Sequence, residues 1–464
     1  MKLLNKILYC LLVVLSIILC KETYKLGVIP NKYLFTLYAV ILIVLVLIIL
    51  GIIFFKKKGL RIMIFIIELL SIIVSIVGII YIHGANNFFD RIKNYDGKTA
   101  TYYVVVKKDS SYKELKDLEG KEIGLFQTNA DAVEELSNQL KFKSNEISDV
   151  TKLIDKDSKL DAVYISSGYY DMISEFKKEF KDNTRILKKI KVSTKKEVNS
   201  TTTKDAYTIL ISGIDVNGDI STTSRSDVNI LMTINLKTHE VLLTHIPRDY
   251  YVQLHNTTGL KDKLTHSGVY GIDMTSSTIE DFMNIKVDHF VRVNFTSLVK
   301  VVDALGGIDV ESDIDFGEGK YHYTKGINHL NGEEALMFSR FRKMLSGGDR
   351  DRGNHQEAVI SAIINKVTTS KSILTNYNEI LNSVANSIET DISEKDIKEL
   401  VKYQLNSMYT WNVNKINVDG TGAYDYCYSW PSRKLYVMVP DQTTVDKASN
   451  YINSILNGKR FSEV

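Results

Sequence analysis

The stretch AYTILISGID, residues 206–215, decides the fold, because a run of apolar residues ends there at a glycine and an aspartate. A second stretch, DVNILMTINL (227–236), alternates apolar and polar residues, as a half-buried strand does. After the short polar turn KTH, the apolar stretch EVLLTHI (240–246) leads into the charged sequence PRD (247–249). We predict that these three stretches are consecutive strands of an antiparallel meander.

This meander would bring charged side chains to one edge of the sheet, because the first strand ends where the second begins and the third ends. The residues concerned are Asp215, Arg225, Asp227, Arg248 and Asp249. Carboxylates flanked by arginines suit a hard divalent cation that shares its other positions with phosphate oxygens, as Mg²⁺ does. Arginine suits the same ligand because its planar fork offers paired donors. A rim of surface ion pairs, each contributing at most about 1 kcal/mol, is the alternative that spacing alone leaves open.

A second basic cluster lies in SRFRKMLSGGDRDRGNHQ, residues 339–356, beside a predicted helix. The helix begins in LNGEEALMFSR (330–340), where Asn331 and Glu334 have the spacing of a capping box. We expect it to end near Ser339, so that the next residues are extended and two arginines, Arg340 and Arg342, point the same way.

The two glycines of this cluster, Gly347 and Gly348, allow a sharp turn. A second helix is predicted to begin near Asp349 or Arg352. Because a helix N-terminus is itself an anion-binding site, the arginines around it would reinforce that preference.

The N-terminal region, residues 1–98, is predicted to be a membrane anchor. Three apolar runs, about 3–20, 33–55 and 62–82, are each close to the length of about 20 residues that crosses a bilayer. No small-residue cleavage site precedes Lys21, which favours a retained anchor over a cleaved signal peptide. Lysines before the first run and between the second and third runs predict a cytoplasmic N-terminus and an external chain from about residue 83 onward. A buried helical hairpin of a soluble protein is the alternative.

Residues 99–184 are predicted to form a small α/β accessory domain, because strand patterns alternate with a helix pattern. The strands are TYYVVVKK (101–108), EIGLF (122–126) and LDAVYI (160–165), and the helix is ADAVEELSNQL (130–140). The string SYKELKDLEGKEIGLF resembles one lobe of periplasmic-type solute-binding domains, which leaves ligand binding and a spacer role both open. The polar, basic residues 185–204 are predicted to be a linker.

Composition excludes few functions. The formal net charge of +3 does not indicate a nucleic-acid-binding protein. Two of the three cysteines lie in the apolar N-terminus, so the rest of the chain cannot form an intramolecular disulfide. The nine histidines show neither the His-Glu-x-x-His spacing nor pairing with cysteine, which argues against a zinc site.

Six ordered blocks of residues 205–464 resemble the LytR-CpsA-Psr phosphotransferases of Gram-positive cell walls. The blocks are LISGID, RSDVNILMTINLKTHEVLLTHIPRDYYV, KLTHSGVYG, VDHFVRVNFTSLVKVVDALGGIDV, KGINHLNGEEALMFSRFRK and GGDRDRGNHQ. The resemblance implies an α/β domain whose mixed sheet is sandwiched by helices. It also implies an enzyme of the cell membrane that transfers a glycopolymer, such as capsular polysaccharide or teichoic acid, from undecaprenyl pyrophosphate to peptidoglycan.

The same resemblance implies roles for individual residues. Asp215 and Asp227 would bind Mg²⁺, or Mn²⁺ in its place, and Asp349 would be the base for the incoming hydroxyl, assisted by Arg225 and Arg248. The pyrophosphate would be held by Arg225, Arg248, Arg340, Arg342, Arg352 and Gln356. One departure is His355, which stands where the family commonly has an arginine; because histidine loses its charge near neutral pH, we do not expect it to bind pyrophosphate.

Three further functions are compatible with the sequence. A polyprenyl-pyrophosphate phosphatase would use the same arginines and metal with water as acceptor. A membrane regulator of cell-wall gene expression is a second, although the predicted topology places the basic cluster outside the cell and away from DNA. A wall-binding receptor without catalytic activity is the third.

Overall fold

The computed structural model describes residues 2–93, 98–126, 128, 130–147, 149–194, 205–214, 224–341, 349–369 and 388–464. The chain forms two compact units. The first comprises Met1–Tyr95, Val367–Asn386 and Ile392–Thr410, and the second comprises Asp96–Lys366, Ser387–Asp391 and Trp411–Val464.

The first unit begins with three long apolar helices. These are α1 (Lys2–Leu26), α2 (Asn31–Phe54) and α3 (Lys58–Lys93). Each contains a segment long and apolar enough to cross a membrane, and each helix matches one predicted run, although the second run extends one residue beyond the end of α2. Their shared core is formed by Leu12, Ile48, Ile52, Ile64 and Ile72. The prediction of three candidate membrane spans is therefore confirmed.

The accessory region of the second unit is a five-stranded sheet with helices, as predicted. The strand order is β3-β2-β4-β1-β5. The elements are β1 (Lys98–Lys107), β2 (Glu122–Phe126), α4 (Ala130–Gln139), β3 (Lys143–Glu146), β4 (Ala162–Ser166), α5 (Ser167–Phe176), α6 (Lys178–Asn183) and β5 (Thr184–Thr194).

Strand β5 corrects the predicted linker, whose first ten residues belong to the sheet. It pairs antiparallel with β1 along its whole length, from Lys98 opposite Thr194 to Lys107 opposite Thr184. Two apolar residues of β5, Ile190 and Val192, are buried, each at 2% exposed. The many lysines of this stretch conceal the alternation, because they occupy the positions between buried residues. The remainder of the predicted linker, 195–204, lies outside the described residues.

The rest of the second unit is built on a six-stranded mixed sheet of order β16-β11-β6-β7-β8-β17. The strands from here to the C-terminus are β6 (Ala206–Ile214), β7 (Ser226–Asn235), β8 (Glu240–His245), β9 (Tyr251–Val252), β10 (Asp262–Lys263), β11 (His289–Asn294), β12 (Ile308–Ser312), β13 (Phe316–Glu318), β14 (Tyr321–Tyr323), β15 (Gly326–Leu330), β16 (Ile388–Thr390), β17 (Asn412–Asn417), β18 (Gly420–Cys427) and β19 (Trp430–Pro440). β6, β7 and β8 form the predicted antiparallel meander. β11 and β17 extend it with parallel pairings to β6 and β8.

Helices cover both faces of this sheet. The helices of the region are α7 (Leu264–Ser267), α8 (Ile272–Met283), α9 (Phe295–Ala304), α10 (Gly332–Arg340), α11 (Asp349–Thr369), α12 (Glu394–Ser407) and α13 (Gln442–Leu456). One face buries Leu210, Leu231 and Leu242 against α8 and α13. The other buries Ile230 and Leu243 against α11. The predicted mixed sheet between helices is confirmed.

The accessory sheet and the C-terminal hairpin share one core within the second unit. Tyr169 and Met172 of α5 pack in the same cluster as Val269, Trp430 and Val437. The hydroxyl of Tyr169 also donates a hydrogen bond to the carbonyl oxygen of Ser429. The predicted boundary between an accessory domain and a separate catalytic domain therefore does not divide the hydrophobic core.

Helix α12 belongs to the first unit, although we predicted that all of residues 205–464 form one domain. Its Ile397 and Val401 pack against Leu26 of α1, against Val28 and against Ala85 of α3. The i, i+4 spacing of this apolar pair identifies an amphipathic helix. It does not identify the surface that the helix covers, because that surface comes from residues more than 300 positions earlier in the chain.

Candidate functional site

A cavity of about 610 Å³ opens at the edge of the sheet where β7 begins and β8 ends. Five cationic side chains line it, together with two carboxylates, so the lining carries an excess of three positive charges. The cations are Arg225, Arg248, Lys263, Arg340 and Arg352, and the carboxylates are Asp227 and Asp249. Such a cavity favours a small ligand with several negative charges.

The meander positions the first charged pair, as its connectivity predicts. Arg248 Nη1 lies 2.9 Å from Asp227 Oδ1. The same oxygen accepts a hydrogen bond of 2.9 Å from Thr265 Oγ1. Among the described residues, the other oxygen, Asp227 Oδ2, has no hydrogen-bond partner although it is buried. One carboxylate oxygen thus orients an arginine and the other is available to a ligand.

Lys263 is a lining residue to which the sequence did not lead us to assign a role. It pairs with Tyr251 in the β9–β10 ladder, and its Nζ lies 2.6 Å from Asp249 Oδ1. The backbone N–H of Thr265 donates to the carbonyl oxygen of Arg248 at 2.8 Å, which fixes this segment against the PRD sequence. The KLTHSGVYG block contained Lys263, but the β9–β10 pairing that brings it to the cavity was not predicted.

A buried polar group supports this wall of the cavity. His266 Nδ1 lies 2.7 Å from Asp262 Oδ1 and 2.8 Å from Ser429 Oγ. The N–H of Ser429 donates to Asp262 Oδ2 at 2.8 Å. Burial alone would raise the pKa of Asp262, but the adjacent His266 and the hydrogen bonds from Ser429 hold that pKa below its usual value. The Asp-x-x-x-His spacing was the available sequence signal for this pair.

Arg340 lies at the end of α10, one residue beyond the predicted end of that helix. The predicted capping box is present, since the Asn331 and Glu334 side chains each bond the other's backbone N–H. The Arg340 guanidinium carbon lies 4.2 Å from the centroid of the Phe295 ring, a cation–π contact that holds the side chain at the cavity. Phe341 is extended, as expected. Arg342, the next arginine of the cluster, lies outside the described residues.

Helix α11 supplies Arg352 and Gln356, which are one helical turn apart and line the cavity. They are only 4% and 9% exposed. Gln356 Oε1 is buried without a hydrogen-bond partner among the described residues. α11 begins at Asp349, as predicted, but the side chain of Asp349 is not described.

His355 packs against aromatic rings and is not placed to bind an anion. Its ring stacks on Phe316 at 4.4 Å between centroids and also contacts Phe338. Burial lowers the pKa of His355 to about 4, so the ring is uncharged at neutral pH. This environment agrees with our expectation that the histidine does not bind pyrophosphate.

The structure thus brings together six of the predicted site residues, namely Arg225, Asp227, Arg248, Arg340, Arg352 and Gln356. Asp215 and Arg342 lie outside the described residues, so the second predicted metal ligand and one arginine of the clamp stay predictions. Within the described part of the chain, no group of three or more His, Cys, Asp or Glu residues could hold a metal ion by itself.

Comparisons with known proteins identify a family and several relatives of this chain. The model of the LytR_cpsA_psr family matches residues 166–451, starting at the end of β4. The chain is 32% identical over 257 residues to a Bacillus cereus protein named "Polyisoprenyl-teichoic acid--peptidoglycan teichoic acid transferase TagU". The aligned region covers 55% of this chain and 83% of that protein. An Enterococcus faecalis protein of the same name is 35% identical over 210 residues, which are 45% of this chain and 68% of that protein. The crystal structure of B. subtilis TagU covers 55% of this chain and 99% of its own, with 32% identity and a TM-score of 0.43.

Proposed function

The chain belongs to the LytR_cpsA_psr family, and from that premise we propose that it transfers a glycopolymer from a polyprenyl-pyrophosphate carrier to peptidoglycan. Two relatives of this chain are named as transferases that attach teichoic acid to peptidoglycan. The proposal covers the class of reaction, and it includes capsular polysaccharide and teichoic acid among the polymers.

The observation that carries the proposal is the cavity with five cations and two carboxylates. A pyrophosphate diester is a compact, multiply charged anion, and guanidinium groups bind its oxygens with paired hydrogen bonds. Displacement at phosphorus needs little covalent participation by the protein, because catalysis is mostly positioning and neutralisation of charge. The cavity supplies both requirements.

In the proposed reaction the acceptor hydroxyl oxygen forms a bond to the phosphorus that carries the polymer. The bond from that phosphorus to the bridging oxygen breaks, and polyprenyl phosphate leaves with the bonding electrons. Arg248, oriented by Asp227, and Arg340, held on the Phe295 ring, would bind the phosphate oxygens together with Arg352 and Gln356. The proton of the hydroxyl would pass to Asp349 at the start of α11.

We include Mg²⁺ in the proposal, with Asp227 and Asp215 as its protein ligands. The fit rests on Asp227, whose Oδ2 is buried without a hydrogen-bond partner in the described structure while Oδ1 is engaged by Arg248. When bound, the ion would neutralise charge on the pyrophosphate and on the leaving group.

The proposed location is the cell membrane, with a cytoplasmic N-terminus and an extracytoplasmic cavity. The three candidate spans and the lysines that flank them support this orientation. Protease added to intact, wall-stripped cells should then cleave the chain beyond Tyr81 and leave the loop of residues 56–61 intact.

The transfer itself is tested with the full chain in lipid nanodiscs, supplied with a lipid-linked polymer and peptidoglycan. We expect polymer to become attached to the wall material. Arg248→Lys keeps the charge but loses the planar fork, and should lower transfer about a hundredfold. Arg460→Lys, at an exposed position away from the cavity, is the matched control and should transfer normally.

Each other outcome contradicts part of the proposal. Release of free polymer without attachment would favour the phosphatase, and absence of both reactions would favour a receptor or regulator. Full transfer by Arg248→Lys would contradict the proposed role of the arginines in binding pyrophosphate, but it would not contradict the proposed class of reaction.

A further inference from the structure

The β18–β19 hairpin carries an exposed strip of tyrosines beside the cavity. Tyr424, Tyr426 and Tyr436 are 68%, 41% and 42% exposed. Among the described side chains of the second unit, these are the only phenylalanine, tyrosine or tryptophan residues in the exposed class. Exposed aromatic residues gathered on one surface commonly mark a binding site.

The three rings share one face of the hairpin. Tyr424 pairs with Tyr436 across the ladder, and Tyr426 pairs with Lys434. The Tyr424 and Tyr436 rings are 5.8 Å apart between centroids, and the Lys434 ammonium lies 5.5 Å from the Tyr426 ring. Alternation along each strand places these side chains on the same side.

The opposite face of the hairpin fixes the strip in place. Cys427 and Val437 are fully buried in the core shared with the accessory sheet. Gly422 leaves room for the Tyr436 ring, since a Cβ there would lie 3.0 Å from its hydroxyl oxygen and 3.1 Å from its Cε2. The buried face of the hairpin therefore holds the tyrosine strip in a fixed position.

The strip is continuous with the proposed reaction site, because Tyr436 also lines the cavity. The tyrosines occupy two rungs of the ladder, Tyr424–Tyr436 and Tyr426–Lys434, which are about 7 Å apart at roughly 3.3 Å per residue. That spacing allows contacts with neighbouring sugar rings of an extended chain.

We propose that this tyrosine strip binds the glycan strand of the peptidoglycan acceptor, an inference that rests on the proposed transfer reaction. Tyrosine rings stack on the C–H faces of pyranose rings, and their hydroxyls bond to sugar hydroxyls. An open, exposed surface suits a polymer that continues in both directions, whereas a closed pocket suits a small ligand.

Charge distinguishes the acceptor from the donor. The cavity holds five cations and suits the anionic linkage of the donor, whereas Lys434 is the cation that lies over the tyrosine strip. The sugar backbone of a peptidoglycan strand carries no phosphate, and its carboxylates lie on the attached peptides. A lightly charged aromatic surface fits that chemistry.

The test uses the full chain in lipid nanodiscs and uncrosslinked peptidoglycan strands of increasing length that keep their stem peptides, with affinity measured by calorimetry. The test variant is Tyr424→Ala combined with Tyr426→Ala, because neither residue lines the cavity. Loss of two stacking contacts should weaken binding about tenfold and remove the preference for longer strands. The double Phe variant keeps the rings and should bind within a few-fold of wild type. Val439→Ala, also exposed but on the other face of the hairpin, is the control and should bind as wild type does.

The transfer assay separates this inference from the proposed function. We expect the double Ala variant to raise the KM for the acceptor about tenfold while affinity for the lipid-linked donor stays unchanged. If wild type transfers polymer and the variant keeps its acceptor KM and strand affinity, the glycan site is refuted and the transferase stands. If wild type binds strands through the tyrosines but transfers nothing, the transferase fails and the glycan site stands. Weaker donor binding with unchanged strand affinity would overturn the assignment to the acceptor.

Discussion

Gly353→Ala tests how the cavity is assembled, because α11 passes close to the last residue of β8, His245, at Gly353. A Cβ at this position would lie 2.4 Å from both Nδ1 and Cε1 of His245 and 2.7 Å from its Cγ. His245 is the last residue of β8 and is only 2% exposed. Neither the ring nor the helix can make room without moving a neighbour.

The size of the effect follows from these distances. Ordinary contacts to a Cβ begin at 3.4 Å, so the closest approach is 3.4 − 2.4 = 1.0 Å too short. Overpacking a core costs about 1–3 kcal/mol, and three ring atoms are involved, so we take about 3 kcal/mol. Replacing glycine by alanine in a helix stabilises the helix by about 1 kcal/mol. The free energy of unfolding should therefore fall by about 2 kcal/mol in total.

We expect the substitution to affect the transfer rate more strongly than the free energy of unfolding. Arg352 precedes Gly353 directly, and Gln356 lies one turn later, so a shift of the helix moves both lining residues. Because a misplacement of about 1 Å can cost about a hundredfold in rate, transfer should decrease by that order.

The assay compares melting temperature and transfer for the full chain in nanodiscs. Gly353→Ala should lower the melting temperature by a few degrees. Combining it with His245→Ala should recover part of that loss, because the methyl group then occupies space that the ring vacated. Gly59→Ala is the control, since nothing lies within 4 Å of a Cβ at that position.

Two results would refute this reasoning. One is a Gly353→Ala protein that matches wild type in both melting temperature and transfer. The other is a double variant whose loss equals the sum of the two single losses, which would mean that the ring and the methyl group do not meet.

Two further predictions concern buried ionisable residues near the cavity. Burial raises the pKa of Glu357 from an ordinary 4.5 to about 9, so the folded chain binds an extra proton between those values and this residue lowers stability as pH rises through that window. Glu357→Gln should therefore melt at a higher temperature than wild type at pH 8 and at a similar temperature near pH 4, and equal melting at both pH values would contradict the shift. Asp262→Asn leaves His266 without its carboxylate partner in a site where both are at most 3% exposed, and should destabilise the fold by about 3 kcal/mol. An unchanged denaturant midpoint for Asp262→Asn would show that the pair does not support this wall.

Several features of the site follow from residues that are close in sequence. The alternation in 227–236 and the short turn before Glu240 predict the antiparallel meander, and its connectivity alone places Asp227 beside Arg248. The capping box at Asn331 and the start of α11 at Asp349 are also local, since each depends on hydrogen bonds within one helical turn. The three apolar runs predict the candidate membrane spans for the same reason, because length and composition suffice.

Other features depend on pairings between distant segments. The lysines of β5 conceal its strand pattern, and its place in the sheet is set by β1, whose paired residues lie 77 to 96 positions earlier in the chain. Helix α12 joins the first unit through contacts with Leu26 and Ala85, more than 300 positions earlier in the chain. The sequence alone determined the strands of the meander, the capped helix and the candidate membrane spans, and it determined which charges meet at the turns of the meander, because neighbouring residues control those choices. Only the tertiary structure decided which surfaces cover one another, because the free energy of burial depends on apolar area that distant parts of the chain contribute.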